Sequence, residues 1–239
     1  MGLDNIRIVL IGTTHPGNIG AVARAMKNMC LNQLYLVQPK EFPCAEATAR
    51  ASGADDLLHN AKVCNSLDEA LKGCHIVVGA SARLRRVEWP QYEPRECAVR
   101  LLSEAKQGAV ALVFGRESSG LSNAEMDRCQ YLVNIPSNEE FSSLNLSMAV
   151  QVLAYELRMT SLENVSLDAK SDRKVATADE MEGFIQHLEQ TMRDIKFSDP
   201  RQSTKLLRRL RRLFNRAQPD NDELNILRGI LSAAQDCKS

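Results

Sequence analysis

The sequence predicts an α/β domain with a largely parallel sheet, followed by a small all-helical unit. Three observations carry that expectation. Short apolar runs alternate with helix-like stretches near the start: Ile6–Ile11, then Ile19–Met29, then Leu34–Val37. These runs are apolar at consecutive positions, as befits strands covered by helices on both faces. Past residue 177 such runs stop, and apolar residues recur at i, i+3, i+4 and i+7.

Taken in order, Ile-Arg-Ile-Val-Leu-Ile over Ile6–Ile11 reads as a buried strand, and Thr13–Asn18 as a turn-rich loop. Asn18 can cap the next helix, Ile19–Met29, whose Val22, Met26 and Met29 share one face. Arg24 lies under two turns beyond Asn18, so both can approach the space above the strand's carboxyl end. Leu34–Val37 is a second strand, and Glu46–Ala51 and Leu67–Leu71 look helical. His75–Ala80 is the next strand and runs into Ser81-Ala82-Arg83-Leu84-Arg85-Arg86. Those three arginines lie where open α/β sheets bind ligands, although a solvated loop has the same composition. Arg95–Ala105 is a helix, and Ala109–Phe114 a strand that feeds directly into Gly115-Arg-Glu-Ser-Ser-Gly120.

Leu132–Ile135 closes the series of strands, and a polar turn with Pro136 follows. Ser142 and Ser143 stand where an N-cap would, and the helix past Asn145 is apolar almost all round, so burial is expected. Two readings stay open. The stretch is a capped core helix, or its N-terminus offers N–H groups and polar side chains to a ligand.

From Thr160 to Thr177 the composition shifts to Ser, Asp, Lys and Asn, the signature of a linker. The boundaries expected are therefore 1–160 for the α/β domain, 161–177 for the linker and 178–239 for the helical extension. Met181, Phe184, Ile185, Leu188, Met192 and Ile195 form one helical stripe. Leu206, Leu207, Leu210, Leu213 and Phe214 form a second, with Lys205, Arg208, Arg209, Arg212 and Arg216 across from it. Asp220-Asn-Asp opens a last helix carrying Leu224, Leu227, Ile230 and Leu231.

Composition excludes more than it selects. With 239 residues, 44% hydrophobic and 25% charged, the chain suits one sizeable domain plus an appendage. Thirty basic and thirty acidic residues cancel, so a polyanionic partner would have to meet a local cluster. Seven cysteines without a C-x-x-C pair look like reduced thiols of a cytoplasmic protein, and no metal site is expected. The N-terminus lacks the apolar core of a signal peptide, and nothing approaches a membrane span.

The chemistry would sit at three strand-to-loop junctions rich in small and polar residues: Gly79–Ala82, Gly115–Gly120 and Ile135–Asn145. No known phosphate-gripping loop is present, so the pattern alone gives a small-molecule pocket at the sheet's carboxyl ends without naming its ligand. The residues go further. Asn18-Ile-Gly-Ala-Val-Ala-Arg24, Phe114-Gly-Arg-Glu117-Ser-Ser-Gly120-Leu, and Ile135-Pro with Ser143-Leu-Asn145-Leu-Ser-Met-Ala-Val resemble the three ordered motifs of the SpoU branch of SPOUT RNA methyltransferases. The resemblance covers roughly residues 5 to 158. The tail, with Leu210-Arg-Arg-Leu-Phe-Asn-Arg-Ala and Asp222-Glu-Leu-Asn-Ile-Leu-Arg-Gly-Ile-Leu, is similar to the extension of one bacterial subfamily, which 2′-O-methylates tRNA at position 32 of the anticodon loop.

That resemblance implies a trefoil knot at the C-terminal part of the sheet, which periodicity cannot predict and general chain topology disfavours. It implies a homodimer with each site near the subunit contact, S-adenosylmethionine as methyl donor and S-adenosylhomocysteine as product. It places Ala80, Ser81, Ala82, Gly115, Ile135, Ser142, Ser143 and Leu144 around the donor, and Arg24, Asn18, Glu117, Ser143 and Asn145 in the catalytic cluster. The family proposal makes Arg24 the base. A guanidinium resists deprotonation, so Arg24 as a bidentate phosphate clamp that orients the hydroxyl is the other reading. Glu117 as a structural carboxylate paired with Arg116 or Arg24, and Asn18 as a plain helix cap, also stay open.

The arginine face of the tail suits tRNA phosphates, and Arg83, Arg85 and Arg86 are further candidates for backbone contact. Trp89 either stacks a base or packs. Two positions depart from the family: Cys30 stands where its first helix usually ends in glycine, and Ala80 replaces a common hydroxyl residue. Two other classes compete. A non-catalytic RNA-binding module is disfavoured by the intact cluster, and a nucleotide-dependent dehydrogenase by the missing dinucleotide fingerprint.

Overall fold

The computed structural model describes residues 3–82, 90–163, 175–197 and 203–236. Residues 1–169 form one compact unit and 170–239 a second.

The first unit is built on seven strands: β1 (Ile6–Ile11), β2 (Gln33–Val37), β3 (Lys62–Cys64), β4 (Cys74–Ala80), β5 (Gln91–Tyr92), β6 (Ala109–Phe114) and β7 (Tyr131–Val133). They pair in the order β3-β2-β1-β6-β4-β7-β5 and every pairing is parallel. Helices α1 (Pro16–Asn28), α2 (Ala45–Ala51), α3 (Asp55–His59), α4 (Leu67–Leu71), α5 (Pro94–Glu104), α6 (Asn123–Met126) and α7 (Leu146–Leu162) connect and flank them.

Strand side chains alternate between faces. Ile6, Ile8, Leu10, Ile76, Val78, Val110 and Leu112 meet Val22 and Met26 of α1, Leu101 of α5, and Val150 and Leu157 of α7 in one core. Val9, Val77, Ala111 and Val113 are equally buried on the opposite face. There Arg7 reaches the α4 carbonyls of Ala70 and Lys72, and Gly79 lies so close to Leu121 and Cys129 that a Cβ would meet them at 2.8 and 3.0 Å. Both faces of the α/β sheet are therefore covered, as the apolar runs predict.

Several boundaries differ from expectation. Helix α1 begins at Pro16, not Ile19, because proline's fixed φ is pre-organised for the first helical position. Asn18 consequently lies inside the first turn and its side chain is free for other work. Cys30, the departure from the family noted above, makes the turn after α1 by adopting φ 59°, a left-handed conformation. The cap of α7 is Asn145, whose Oδ1 accepts from the Ser147 N–H at 2.9 Å, rather than Ser142 or Ser143. Helix α7 is also not buried all round. Leu146, Val150, Leu153, Ala154 and Leu157 face the core, whereas Met148 and Tyr155 are 61% and 48% exposed.

The second unit holds α8 (Ala178–Asp194), α9 (Ser203–Ala217) and α10 (Asn221–Asp236). Thr177 and Glu180 form a capping box on α8, and Asp220 and Glu223 exchange the equivalent bonds at the start of α10. Met181, Phe184, Ile185 and Leu224 make the core, and Phe184 stacks edge-on against Phe214 at 4.7 Å. Ile230, expected on the apolar stripe, faces outward at 61% exposure. Val175 bridges Asp220, so the end of the 161–177 stretch is tied to this unit, while Ser161 and Leu162 still belong to α7.

Candidate active site

The loops that leave β1, β4, β6 and β7 at their carboxyl ends meet in one place. The loop after β6 is a tight hairpin, in which the Arg116 N–H donates to the Gly120 carbonyl at 3.2 Å and the Gly120 N–H to Arg116 at 2.8 Å. Two glycines make this possible. A Cβ on Gly115 would stand 2.1 Å from the Gly120 carbonyl carbon, and Gly120 itself has φ +68°. The Arg116 guanidinium turns away to both oxygens of Glu125, at 2.9 and 3.1 Å, and Glu125 completes a capping box with Ser122 on α6.

The hairpin aims Glu117 at the start of α1. Its carboxylate accepts from the Thr14 N–H at 3.1 Å, the Thr14 hydroxyl at 3.0 Å, the His15 N–H at 3.2 Å and Asn18 Nδ2 at 3.0 Å. A carboxylate at a helix N-terminus is favoured by the helix dipole as well as by these donors. Burial pushes the Glu117 carboxyl up, but the donors from Asn18, Thr14 and His15 outweigh it and hold the group below its usual range. In the structure Glu117 is bonded to the backbone before α1, to the Thr14 hydroxyl and to Asn18, whereas Arg116 is bonded to Glu125.

Asn18 passes the connection on. Its Oδ1 accepts from Asn145 Nδ2 at 3.1 Å, and Asn145 Oδ1 accepts from the Ser147 N–H and hydroxyl at 2.9 and 2.7 Å. One line of hydrogen bonds therefore joins the β6 loop, α1 and the N-terminus of α7. Beside it opens a pocket lined by Ala80, Ser81, Ala82, Gly115, Ile135, Ser142, Ser143 and Leu144, together with Glu117, Ser118, Ser119 and Leu146. All eight residues that the resemblance places around the donor lie on its wall.

Arg24 does not join this cluster within the chain. It is six residues from Asn18, about 120° around the helix and about 9 Å along it. It is exposed, and none of its hydrogen bonds or ion pairs falls among the described residues. Arg83, Arg85, Arg86 and Trp89 lie outside the described residues. In the tail, Lys205, Arg209 and Arg216 are exposed, while Arg208 and Arg212 are half-buried and hold interactions of their own. Arg211, in the same run, is buried against Glu182 instead. Sequence reasoning missed Thr14 and His15: their backbone N–H groups carry no side-chain signature, and the Thr14 hydroxyl lies outside the three motifs. Ser118 and Ser119 could have been picked out from their place inside the Gly115–Gly120 motif.

The model of the SpoU rRNA Methylase family matches residues 5–155, and that of the tRNA methyltransferase TrmJ C-terminal domain matches residues 179–239. A TrmJ of Pseudomonas aeruginosa, a tRNA (cytidine/uridine/adenosine-2′-O-)-methyltransferase, is 53% identical over 98% of this chain and 95% of its own. The chain belongs to the SpoU methylase family. Within it, a tRNA (cytidine/uridine-2′-O-)-methyltransferase TrmJ of Pectobacterium atrosepticum is 52% identical over 98% of both chains. The crystal structure of TrmJ from Z. mobilis superposes with a TM-score of 0.85 at 32% identity, covering 95% of this chain and 97% of that one. The three motifs by which the chain resembles the SpoU methylases are thus the segments that build the pocket and its hydrogen-bonded line.

Proposed function

We propose that the chain is an S-adenosylmethionine-dependent tRNA 2′-O-methyltransferase acting on cytidine and uridine at position 32 of the anticodon loop. What supports this reading is that the eight residues expected around the donor all line one pocket, beside the Glu117–Asn18–Asn145 line. The wall suits the donor. Ala80, Ile135, Leu144 and Leu146 give apolar surface for an adenine and a methionine stem, Gly115 lets backbone approach closely, and the serine hydroxyls supply polar contacts. When bound, S-adenosylmethionine supplies an activated methyl group and leaves as S-adenosylhomocysteine. The protein's task is then alignment of the ribose hydroxyl and management of one proton.

Glu117 fixes the start of α1 and holds the Asn18 amide. Asn18 fixes Asn145, and Ser143 and Asn145 stand at the pocket mouth where the ribose would enter. Arg24 clamps a phosphate and orients the hydroxyl, a role that suits a group charged at every working pH. It reaches the mouth from a second copy. The outward side of α1 and the exposed residues Met148, Val152, Tyr155 and Leu162 on α7 form the face on which a homodimer would close.

The active form is a cytoplasmic homodimer whose domain 1–160 carries the trefoil knot. In support of the knot, β7 pairs between β4 and β5, although β5 follows β4 after only the 81–90 stretch. The 178–239 extension binds tRNA through Lys205, Arg208, Arg209, Arg212 and Arg216, with Arg83, Arg85 and Arg86 adding backbone contacts. A ribosomal substrate, which the family's description would also allow, is disfavoured because the tail matches a tRNA methyltransferase domain. Incubating the purified protein with labelled S-adenosylmethionine and bulk tRNA tests the proposal. Label should enter tRNA, and its failure to do so with active donor present would reject the assignment.

A further inference from the structure

Among the described residues, Phe141 is the most exposed large apolar side chain, at 79%. It belongs to a short 3-10 turn, Glu139–Phe141, and it is not loosely held. Its own N–H donates to the Asn138 carbonyl at 3.0 Å, Asn138 Oδ1 accepts from the Glu140 N–H at 3.0 Å, and Ser137 Oγ donates to the Ser142 carbonyl at 3.1 Å. The next two residues, Ser142 and Ser143, line the pocket. A hydrogen-bonded turn therefore carries the ring out into solvent, one residue before the pocket lining begins. Among the described residues no ring stacks on it and no cation covers it.

We infer that Phe141 is a stacking platform for the target nucleobase, so that the base rests on the ring while its ribose enters the pocket. The inference rests on the RNA methyltransferase reading and deepens it. A ribose hydroxyl reaches an in-line methyl donor only if its nucleotide leaves the stack of the loop, and an aromatic face replaces the lost stacking. The neighbours of the ring disfavour a phosphate there, because Glu139 and Glu140 are exposed carboxylates of the same turn and would repel it. A neutral base face meets no such penalty. Phenylalanine has no hydrogen-bonding group, and every base has a π-face, so such a platform accepts cytidine and uridine alike. The residue positions the nucleotide and takes no part in proton transfer.

The test uses the full chain with a tRNA whose methylated nucleotide has first been mapped. Phe141→Ala should lower kcat/KM for tRNA by roughly 10- to 100-fold, the worth of one base–aromatic stack. Affinity for S-adenosylmethionine alone, by calorimetry, should stay within about twofold, and Phe141→Trp should recover most of the loss. A tRNA carrying an abasic ribose at the target position should bring the wild type down to the variant, with no further loss in the variant itself. Several results would overturn the inference: unchanged kinetics in Phe141→Ala, an equal fall in donor affinity, or a shift of the variant from dimer to monomer by sedimentation. An inactive wild type would remove the reading underneath it, whereas an active wild type with an indifferent Phe141 removes the platform alone.

Discussion

Replacing Glu117 with glutamine keeps the length of the side chain and removes its charge. In the protein this carboxylate accepts from two backbone N–H groups, a hydroxyl and the Asn18 amide, so an incoming NH2 group on either side would face donors. Hydrogen bonds to a charged acceptor are worth about 1.5–3 kcal/mol when buried. Thr14 and His15 are exposed and water can replace part of what is lost, which brings the expected cost down to about 1–2 kcal/mol. For a chain of this size that is a fall in Tm of roughly 2–8 °C at neutral pH.

The folded carboxyl titrates below its unfolded value, so its contribution is complete above the ordinary glutamate range and is lost as pH falls through the folded value. The melting curves of wild type and Glu117→Gln should therefore converge in acid. Methyl transfer should drop by about 10- to 100-fold, since Asn18 loses its anchor and a small misplacement of reacting groups is costly. Thermal unfolding across pH 3 to 8 and a labelled-donor assay measure both. A variant that melts with the wild type at neutral pH, or a gap that persists undiminished in acid, would refute the reasoning.

Arg24→Lys should cost at least about 100-fold in methyl transfer, because an ammonium cannot reproduce a bidentate clamp, while donor affinity measured by calorimetry survives. Deleting residues 165–239 should abolish methylation of tRNA and leave donor binding intact; full activity in the shortened chain would take the tail out of the mechanism. Changing Lys205, Arg209 and Arg216 to glutamine should weaken tRNA binding and flatten its dependence on log salt by roughly one unit per charge in contact, read by filter binding. Cys30→Gly should raise Tm by about 1–4 °C, since relief of a left-handed non-glycine residue exceeds the entropy that glycine adds to the unfolded chain.

The central strands were legible because consecutive apolar residues such as Ala109–Phe114 have few other ways to be buried. Short elements were not: β3 and β5 hold three and two residues, too few to show any period, and exist through pairing with β2 and β7. Polar side chains of the site were legible through the motifs, yet their bonding was not. Whether Asn18 caps its helix or spans to Glu117 depends on where α1 begins, and Pro16 decides that locally. The mixed burial of α7 escaped the sequence for a different reason. An apolar stripe left exposed looks the same in composition as one packed into the core, and Met148 and Tyr155 show the difference only once the chain is folded.

The account stands on three loops building a pocket that presents a methyl donor to a single ribose. Digesting tRNA after reaction and locating the added methyl by mass spectrometry tests this most directly. The predicted result is one 2′-O-methylated cytidine or uridine at position 32, absent when the reaction is run with Asn145→Ala. A methyl group on a base, or one scattered over several riboses, would contradict it.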